Sequence, residues 1–525
     1  MSEPSRLKHA SRLWLKAALI ASPLVAFAAA PLWADEYDGR PTYTHPNETA
    51  AQLDPVPEIG FGCRFGDCYT PHPGPHGPPA VGLPPILGQV TLLVDCGARH
   101  DEPMGGPHEG PRRERHGEHH EGAHGGVFAS VDEAVEFAPP NATIMILPPG
   151  QGRTCVETVH ISKPVTLTTY GSSERAVIQS EDGQPCLVAD LPLGDALVID
   201  GVRFIARSKD QPCVAVEAGR VVMRNSSVDA RGSAWAFNVR ESAELRIESS
   251  RVETDESAVH ARRARVDIAN LDIDIDGRDR PATFNIDRAD CTDRGGGTIH
   301  GSVGLALECS EGSVEGLSII GGAIGVVASA GTRGLRFTDA KITKAETGVL
   351  LLPGQLGTVS LERPVISRAA HGIVVAPGAE SEITGAVVTD SRLSGISVFG
   401  AAALISGNKI VGAVDGIELL SEATFPPLID SLVQPPTPDA VRWIPRSGGS
   451  LDGPVVENNL IANVRHSGVR IDARAGGEMR PLFGRLIGNT IYAPGHAVCI
   501  DDQHNDDPVR VRANICNRDW LPWPF

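Results

Sequence analysis

Charged and apolar residues alternate in two segments near the C-terminal end of the sequence. Glu418 follows Ile417, and Arg470 and Asp472 flank Ile471. If the isoleucines point into a core, alternation along a strand places the charged side chains on the opposite face. A carboxylate beside an arginine on a groove floor could bind a charged polysaccharide, abstract a proton next to a uronate carboxyl and stabilise the resulting anion. The alternative is an ion pair between strands on a solvated sheet.

Further residues extend this candidate catalytic group into a candidate sugar site. Asp501 lies on the next strand-like segment, one strand spacing of about 4.8 Å from Asp472. His496 begins that segment and is a candidate substrate contact. Phe425 and Trp443 lie in a nearby loop, and their rings can stack on sugars.

Three aspartates suggest a calcium site. Asp272, Asp274 and Asp276 precede a glycine and match the start of a calcium loop, D-x-D-x-D-G. The twelfth position of such a loop supplies a glutamate, but here it is Thr283. The alternative is a half-buried strand, since isoleucines alternate with the aspartates. A calcium ion is therefore the one cofactor that the sequence suggests.

Histidines offer a different metal chemistry. Residues 99–126 form a polar, glycine-rich tract that contains six histidines at irregular spacing. Neutral imidazole is a good ligand for zinc, copper or nickel. The alternative is a solvated segment without a metal.

A repeated sequence motif indicates the strands that position these residues. The motif is a glycine followed by alternating apolar residues. It recurs every 21 to 24 residues before a final copy that follows an insertion. The glycines are Gly304, Gly325, Gly348, Gly372, Gly395, Gly416 and Gly468. A fixed period of this length predicts a solenoid, in which each repeat buries its apolar face against its neighbours.

Asparagines give the phase of the repeat. They precede a later strand of four coils, at Asn408, Asn459, Asn489 and Asn514. Asparagine tolerates the left-handed conformation that a sharp corner needs, and stacked amides can hydrogen-bond from coil to coil. In the family that the chain resembles, named in the next paragraph, such asparagines mark the turn between the second and third strands of a coil. That resemblance implies that the glycine-led strand is the first strand of each coil, and the predicted insertions 277–300 and 421–452 both border it.

The start of the ordered region resembles a known family. Ser130 and Glu133 have the spacing of a capping box, and a short helix is predicted to end before Pro139. Strand-like segments follow at residues 143–148, 155–161 and 164–168. This order resembles the N-terminal opening of right-handed parallel β-helix proteins of the pectin-lyase-like superfamily, and the likeness covers residues 89–517. It implies an all-β, right-handed parallel β-helix of about 12–14 coils with a capping helix and a binding cleft along the first-strand face.

The resemblance does not settle an activity, because the superfamily contains lyases, hydrolases, esterases, epimerases and non-enzymes. Its polygalacturonases resemble this chain only in part. Their first motif begins Asn-Thr-Asp, whereas this sequence has Asn489-Thr-Ile, and its histidine, His496, precedes the aspartate pair at Asp501. If the protein is an enzyme, the sequence favours a polysaccharide lyase or glycoside hydrolase without a recognised catalytic motif.

The N-terminal end predicts export. Residues 1–34 combine a basic start, an apolar run and a small-residue cleavage site, as in a signal peptide. Residues 35–88 are rich in Pro, Gly and His and predict a disordered linker. The β-helix is predicted to span 89–519, and residues 520–525 form an aromatic tail. No transmembrane segment is expected after signal removal, so the periplasm, the cell surface and secretion remain alternatives.

Ten cysteines in an exported chain favour disulfides. The predicted pairs are Cys63–Cys68, Cys96–Cys155, Cys186–Cys213, Cys291–Cys309 and Cys499–Cys516.

The net charge of the chain limits the classes of binding partner. The formal net charge is −18, which argues against nucleic acid and anionic membranes as partners.

The outward residues of successive first strands are expected to be Val374, Ser397, Glu418 and Arg470, so the exposed column becomes polar near its C-terminal end. The sequence thus favours a polysaccharide partner bound along the first-strand groove, with cleavage of that polysaccharide as a further candidate activity. The alternatives are a non-catalytic structural or adhesive envelope protein, and periplasmic metal binding through the histidine tracts. The oligomeric state is open.

Overall fold

The computed structural model describes residues 90–97, 127–171, 174–276, 301–329, 331–352, 357–421, 453–472, 474–475, 478–479, 484–503 and 509–519. All of them belong to the second of two compact units of the chain, Leu83–Phe525. The predicted signal peptide, linker, His-rich insertion and C-terminal tail lie outside the described residues, as do the loops 277–300 and 422–452.

The described chain consists of one short helix and forty-three strands. The first third contains β1 Thr91–Val94, β2 Val127–Phe128, α1 Val131–Phe137, β3 Ala142–Ile146, β4 Cys155–Val156, β5 Val159–Ile161, β6 Val165–Thr169, β7 Ala176–Gln179, β8 Leu187–Asp190, β9 Ala196–Asp200, β10 Val202–Ile205, β11 Pro212–Ala218, β12 Arg220–Arg224, β13 Ser227–Ala230, β14 Trp235–Val239, β15 Glu244–Thr254, β16 Ser257–Arg262 and β17 Arg265–Ile275. The middle contains β18 Val303–Glu308, β19 Glu311–Glu315, β20 Ser318–Gly321, β21 Ile324–Ala328, β22 Arg333–Thr338, β23 Lys341–Thr343, β24 Thr347–Leu351, β25 Val359–Glu362, β26 Val365–Ser367, β27 His371–Val375, β28 Glu380–Thr384, β29 Val387–Thr389, β30 Ser394–Phe399, β31 Ala402–Ser406, β32 Lys409–Val411 and β33 Asp415–Leu420. The last part contains β34 Val455–Glu457, β35 Leu460–Ala462, β36 Ser467–Asp472, β37 Arg474–Ala475, β38 Glu478–Met479, β39 Arg485–Ile487, β40 Thr490–Tyr492, β41 Val498–Gln503, β42 Arg510–Arg512 and β43 Ile515–Asn517.

These strands form a parallel β-solenoid of about 12 turns, which confirms the predicted parallel β-helix. The seven glycine-led strands belong to one sheet of 13 strands, called the first-strand sheet here, in the order β41-β36-β33-β30-β27-β24-β21-β18-β16-β14-β11-β8-β5. Each coil contains two more strands outside this sheet. For example, β34 and β35 belong to one coil and pair with β39 and β40 of the next coil.

Alternating side chains of every coil fill one continuous core. Ile417 and Leu419 of β33 lie in it, as do Val469 and Ile471 of β36, and all four are buried. Burying aliphatic side chains of this size stabilises the fold by about 1.5–3 kcal/mol each. The opposite side chains of the same strands therefore face outward, as the sequence predicts.

The repeated glycine is required by the close approach of successive coils. A Cβ atom added to Gly395 would lie 2.5 Å from the carbonyl oxygen of Gly416 and 2.5 Å from Ile410 Cγ2. The corresponding Gly372 and Gly416 are equally crowded by the following coil. At these positions only a residue without a side chain fits, which explains the period seen in the sequence.

The four predicted corner asparagines form a ladder through the C-terminal coils. The amide of Asn408 donates to Asn459 Oδ1, Asn459 to Asn489, and Asn489 to Asn514, each over 2.9 Å. Their expected left-handed backbone is not observed, however. The residue before each asparagine has positive φ instead, as in Asn458 (φ 54°) before Asn459. The asparagines serve the corner through their side chains.

The predicted helix is α1, and it closes the N-terminal end of the core. Ser130 Oγ accepts a hydrogen bond from Glu133 N at 3.0 Å, as expected for an N-cap. The carboxylate of Glu157 accepts two more, from Val131 N and Asp132 N, at 2.9 and 3.0 Å. This carboxylate therefore satisfies two helix-terminal amides that have no partner within the helix.

Disulfides join three of the predicted cysteine pairs, Cys96–Cys155, Cys186–Cys213 and Cys499–Cys516. Cys309 is also disulfide-bonded, but its predicted partner Cys291 lies outside the described residues, as do Cys63 and Cys68. Disulfides of this kind fit an exported protein. Among the described residues, no helix has the length and apolar character needed to cross a membrane.

Candidate functional site at the polar end of the first-strand sheet

The outer face of the first-strand sheet changes character along the solenoid. Val327, Leu350 and Val374 occupy the central outward position of β21, β24 and β27 and are fully buried in a second apolar cluster. The same position carries Ser397 in β30, which is also buried. The expectation that Val374 and Ser397 are exposed is therefore wrong. From β33 onward the outward face is polar and partly exposed, as it also is at His160 of β5 and Asn238 of β14.

Arg470 is the centre of the polar end. Its Nη1 lies 3.7 Å from Glu418 Oε1 and 3.9 Å from Asp415 Oδ2, and its Nη2 donates to Asp472 Oδ2 at 3.1 Å. The register pairs Glu418 with Arg470 and Arg470 with Asp501 on three adjacent strands. The structure thus brings the four candidate catalytic residues together in one patch.

Asp415 is a buried carboxylate at the edge of this patch. Its Oδ1 accepts hydrogen bonds from the backbone amide of Ser467 at 3.0 Å and from the Ser467 hydroxyl. His466 Nδ1 contacts the same oxygen at 2.8 Å. The Asp415 side chain is only 8% exposed, whereas that of His466 is 50% exposed. His466 therefore forms a solvent-facing rim over a buried carboxylate.

Burial raises the pKa of Glu418 above its ordinary value, and the nearby charge of Asp415 raises the pKa further. A hydrogen bond from Ser397 Oγ, at 2.7 Å to Oε2, and the charge of Arg470 act in the opposite direction. The net result is a carboxyl group that holds its proton more readily than an exposed glutamate does. Such a group is better suited to donate a proton than an exposed, ionised glutamate is.

The end of the patch near β41 is open to solvent. Asp501 accepts a hydrogen bond from Gln503 Nε2 at 2.7 Å. His496 lies in the turn before β41 and is exposed. Phe425 and Trp443, the predicted stacking residues, lie outside the described residues and stay predictions.

Sequence reasoning missed Asp415, Ser467, Ser394 and His371, which all directly precede a repeat glycine. This position faces outward at the start of each first strand, where the register pairs His371 with Ser394, Ser394 with Asp415, and Asp415 with Ser467. The recurrence of a polar residue directly before these glycines is the sequence signal that would have identified them.

The aspartates of the proposed calcium loop are not gathered in the structure. Asp272 and Asp274 lie on the long strand β17 and alternate with the buried Ile273 and Ile275, and Asp276 follows this strand. Successive outward side chains on a strand are about 6.8 Å apart. Asp274 lies instead 4.0 Å from Arg251 of the preceding coil. The half-buried strand, which was the alternative, describes this segment.

Within the described part of the chain, one group brings three residues of metal-ligating type together, namely Cys96, Cys155 and Glu157. Both sulfur atoms are consumed by the disulfide, and Glu157 caps α1. This group is structural. The histidine tract lies outside the described residues.

No protein-family model and no curated protein matches this sequence. Solved structures with a similar fold include the catalytic domain of a family 87 α-1,3-glucanase variant in complex with tetrasaccharides, with 13% identity, a TM-score of 0.45, and coverage of 73% of this chain and 67% of that one. A tailspike protein mutant of an Escherichia coli bacteriophage in complex with pentasaccharide has 10% identity, a TM-score of 0.39 and 74% coverage of both chains. A family 6 polysaccharide lyase from Pseudopedobacter saltans has 12% identity, a TM-score of 0.34, and coverage of 73% of this chain and 90% of that one. These neighbours act on or bind saccharides.

Proposed function

We propose that this is an exported protein that binds an extracellular or envelope polysaccharide at the polar end of its first-strand sheet. The observation that carries the proposal is the convergence of Glu418, Arg470 and Asp472 on a partly exposed patch, whereas the central outward residues from β21 to β30 are buried. Carboxylates and a guanidinium are suitable partners for sugar hydroxyls, because together they accept and donate charge-assisted hydrogen bonds.

The charges of the patch favour a neutral glycan. On β33, β36 and β41, the outward carboxylates are Asp415, Glu418, Asp472 and Asp501, whereas Arg470 is the one outward cation of these strands. Its guanidinium already lies within 4 Å of three of these carboxylates. A uronate carboxyl would therefore meet more negative charge than positive charge. This argues against the proton abstraction from a uronate that the sequence suggested.

The raised pKa of Glu418 supports glycoside hydrolysis as the second candidate function. Hydrolysis of a glycosidic bond uses one carboxylic acid that protonates the leaving oxygen and a second, ionised carboxylate. Glu418 would be the acid, and Asp472, which is hydrogen-bonded to Arg470, would be the ionised partner.

A glycan array with the intact protein tests the proposal. We expect binding to neutral polymers that resists added salt, and little binding to polyuronates. Arg470→Ala should reduce the affinity at least tenfold, because it disorders three carboxylates at once. Arg336→Ala is the matched control, since Arg336 makes an ion pair with Glu362 on β25, outside the first-strand sheet. Hydrolysis would be established if the wild type releases reducing ends from the bound glycan and the Glu418→Gln variant does not.

Absence of glycan binding by the intact protein, with envelope association unchanged in Arg470→Ala, would contradict the proposal and favour the structural or adhesive role. Fractionation of cells would decide between periplasm, surface and medium. Binding of zinc, copper or nickel by the intact protein, lost when the histidines of 99–126 are replaced, would support the metal-binding alternative.

A further inference from the structure

A chain of hydrogen bonds leads from Glu418 into the buried part of the outer face. Ser397 Oγ lies 2.7 Å from Glu418 Oε2, Ser394 Oγ lies 2.6 Å from Ser397 Oγ, and His371 Nδ1 lies 2.8 Å from Ser394 Oγ. The chain crosses β33, β30 and β27, which are adjacent in the first-strand sheet. Ser394, Ser397 and His371 are at least nine-tenths buried.

The direction of this chain follows from the protonation state of Glu418. An ionised carboxylate only accepts, so Ser397 must donate its single hydroxyl proton to Glu418. Ser394 must then donate to Ser397, and His371 must donate from Nδ1 to Ser394. Burial lowers the pKa of His371 to about 4, so at higher pH the imidazole is neutral and carries its one proton on Nδ1.

The protonated form of Glu418 allows the opposite direction. One proton adds to Oε2, Glu418 donates to Ser397, Ser397 to Ser394, and Ser394 to Nδ1 of His371. Nδ1 releases its proton to solvent while Nε2 takes one up, so the imidazole stays neutral and the pair gains one proton in total.

We propose that His371, Ser394 and Ser397 are positioning residues that couple the protonation of Glu418 to the tautomer of a buried histidine. The catalytic role of this coupling rests on the proposed function. In that role the hydrogen-bond chain would hold the Glu418 proton on Oε2 and fix the orientation of the carboxyl group. The coupling itself is a property of the free protein.

Other charged groups near the chain are few. Glu418 faces Asp415 on its own strand and Arg470 on β36. His371 is influenced by Glu346 and Arg392, which form an ion pair with each other. That pair is nearly neutral as a whole, whereas the hydrogen bonds through Ser394 and Ser397 connect His371 directly to Glu418.

Selective ¹⁵N labelling of histidine tests the coupling in the free, full-length protein, with His371→Gln used to assign the signal. We expect the His371 signal to change from the Nδ1–H to the Nε2–H pattern as pH falls through the titration of Glu418, followed by ¹³C labelling of its carboxyl. Ser397→Ala should abolish the change and move the midpoint of the Glu418 titration. Ser406→Ala is the control, because it removes a hydroxyl bonded to another glutamate, Glu457.

A His371 signal that stays constant while Glu418 titrates in the wild type would overturn the proposal, and so would a change that persists in Ser397→Ala. The wild-type measurement needs no variant, and Ser394→Ala replaces Ser397→Ala if the latter does not fold. Both readouts are independent of glycan, so a failure of glycan binding would contradict the proposed function without affecting this result.

Discussion

Arg470 and Glu418 are register partners on adjacent strands, and their side chains meet at 3.7 Å on the outer face of the solenoid. The register of the two strands places their Cα atoms opposite each other, so the two side chains can meet without any change of the backbone. The same guanidinium also reaches Asp415 and Asp472. One cation therefore compensates three carboxylates, and the patch depends on it.

Arg470→Ala should destabilise the protein by about 2 kcal/mol at neutral pH, because it leaves buried carboxylates without a charged partner. Loss of the cation raises the pKa of Glu418 further in the folded state, because the charge of Arg470 lowers it in the wild type. The defect should therefore grow as pH rises through the raised pKa and shrink at acidic pH, where the groups are protonated in both states. Thermal unfolding at two pH values measures this, with Arg336→Ala costing less than about 1 kcal/mol at both. A defect equally large at acidic pH would contradict the explanation.

Glu418→Gln should stabilise the protein at neutral pH, because the folded environment disfavours the charged form. A raised pKa means that the folded state is most favoured below the unfolded pKa and loses that advantage as pH rises through its own pKa. The glutamine amide can still hydrogen-bond Ser397 but does not ionise. The wild type and the variant should thus differ in melting temperature at neutral pH and converge at acidic pH. A variant less stable than the wild type at neutral pH would show that the Arg470 contact outweighs burial.

Asn459→Ala should cost about 2 kcal/mol, since it removes a buried amide that donates to Asn489 Oδ1 and Ile405 O and accepts from Asn408. Asn514 ends the ladder and is only part-buried. Asn514→Ala should therefore cost less. Chemical denaturation of the two variants gives the comparison, and equal losses would mean that the ladder does not act as a connected unit.

Gly395→Ala should cost about 3 kcal/mol or more, because the new methyl group would lie 2.5 Å from the backbone of the next coil. Gly232 is a useful contrast. It has φ 85° and no neighbour within 4 Å of an added Cβ, so Gly232→Ala should cost only about 1–2 kcal/mol from backbone strain. Soluble yield and denaturation midpoints distinguish the two, and a tolerated Gly395→Ala would mean that the coils can separate.

Periodicity was enough to predict the solenoid, the inward and outward residues and the meeting of Glu418, Arg470 and Asp472, because register in stacked coils follows directly from the repeat. It did not predict burial of the outer face around Val374. Alternation distinguishes two faces but does not say whether the second is covered, although the outward Val327 and Leu350 are apolar enough to indicate it.

The role of Asp415 was also missed, because its partners Ser467 and His466 lie more than fifty residues away in sequence and one coil away in space. The calcium motif illustrates a related point. A sequence motif specifies spacing along the chain, whereas the strand that holds Asp272 and Asp274 places successive outward residues about 6.8 Å apart.

The two terminal disulfides have a consequence for how the molecule comes apart. In a solenoid each coil contacts only its neighbours, so unfolding can begin at an end and propagate. Cys96–Cys155 links residues at the first coils, and Cys499–Cys516 closes the last described coil by joining β41 to β43. With both bonds intact, fraying is suppressed at either end and the coils unfold together. Reduction would turn one cooperative transition into a progressive loss of coils, and the patch around Arg470, near one end, would be among the first regions to lose its structure.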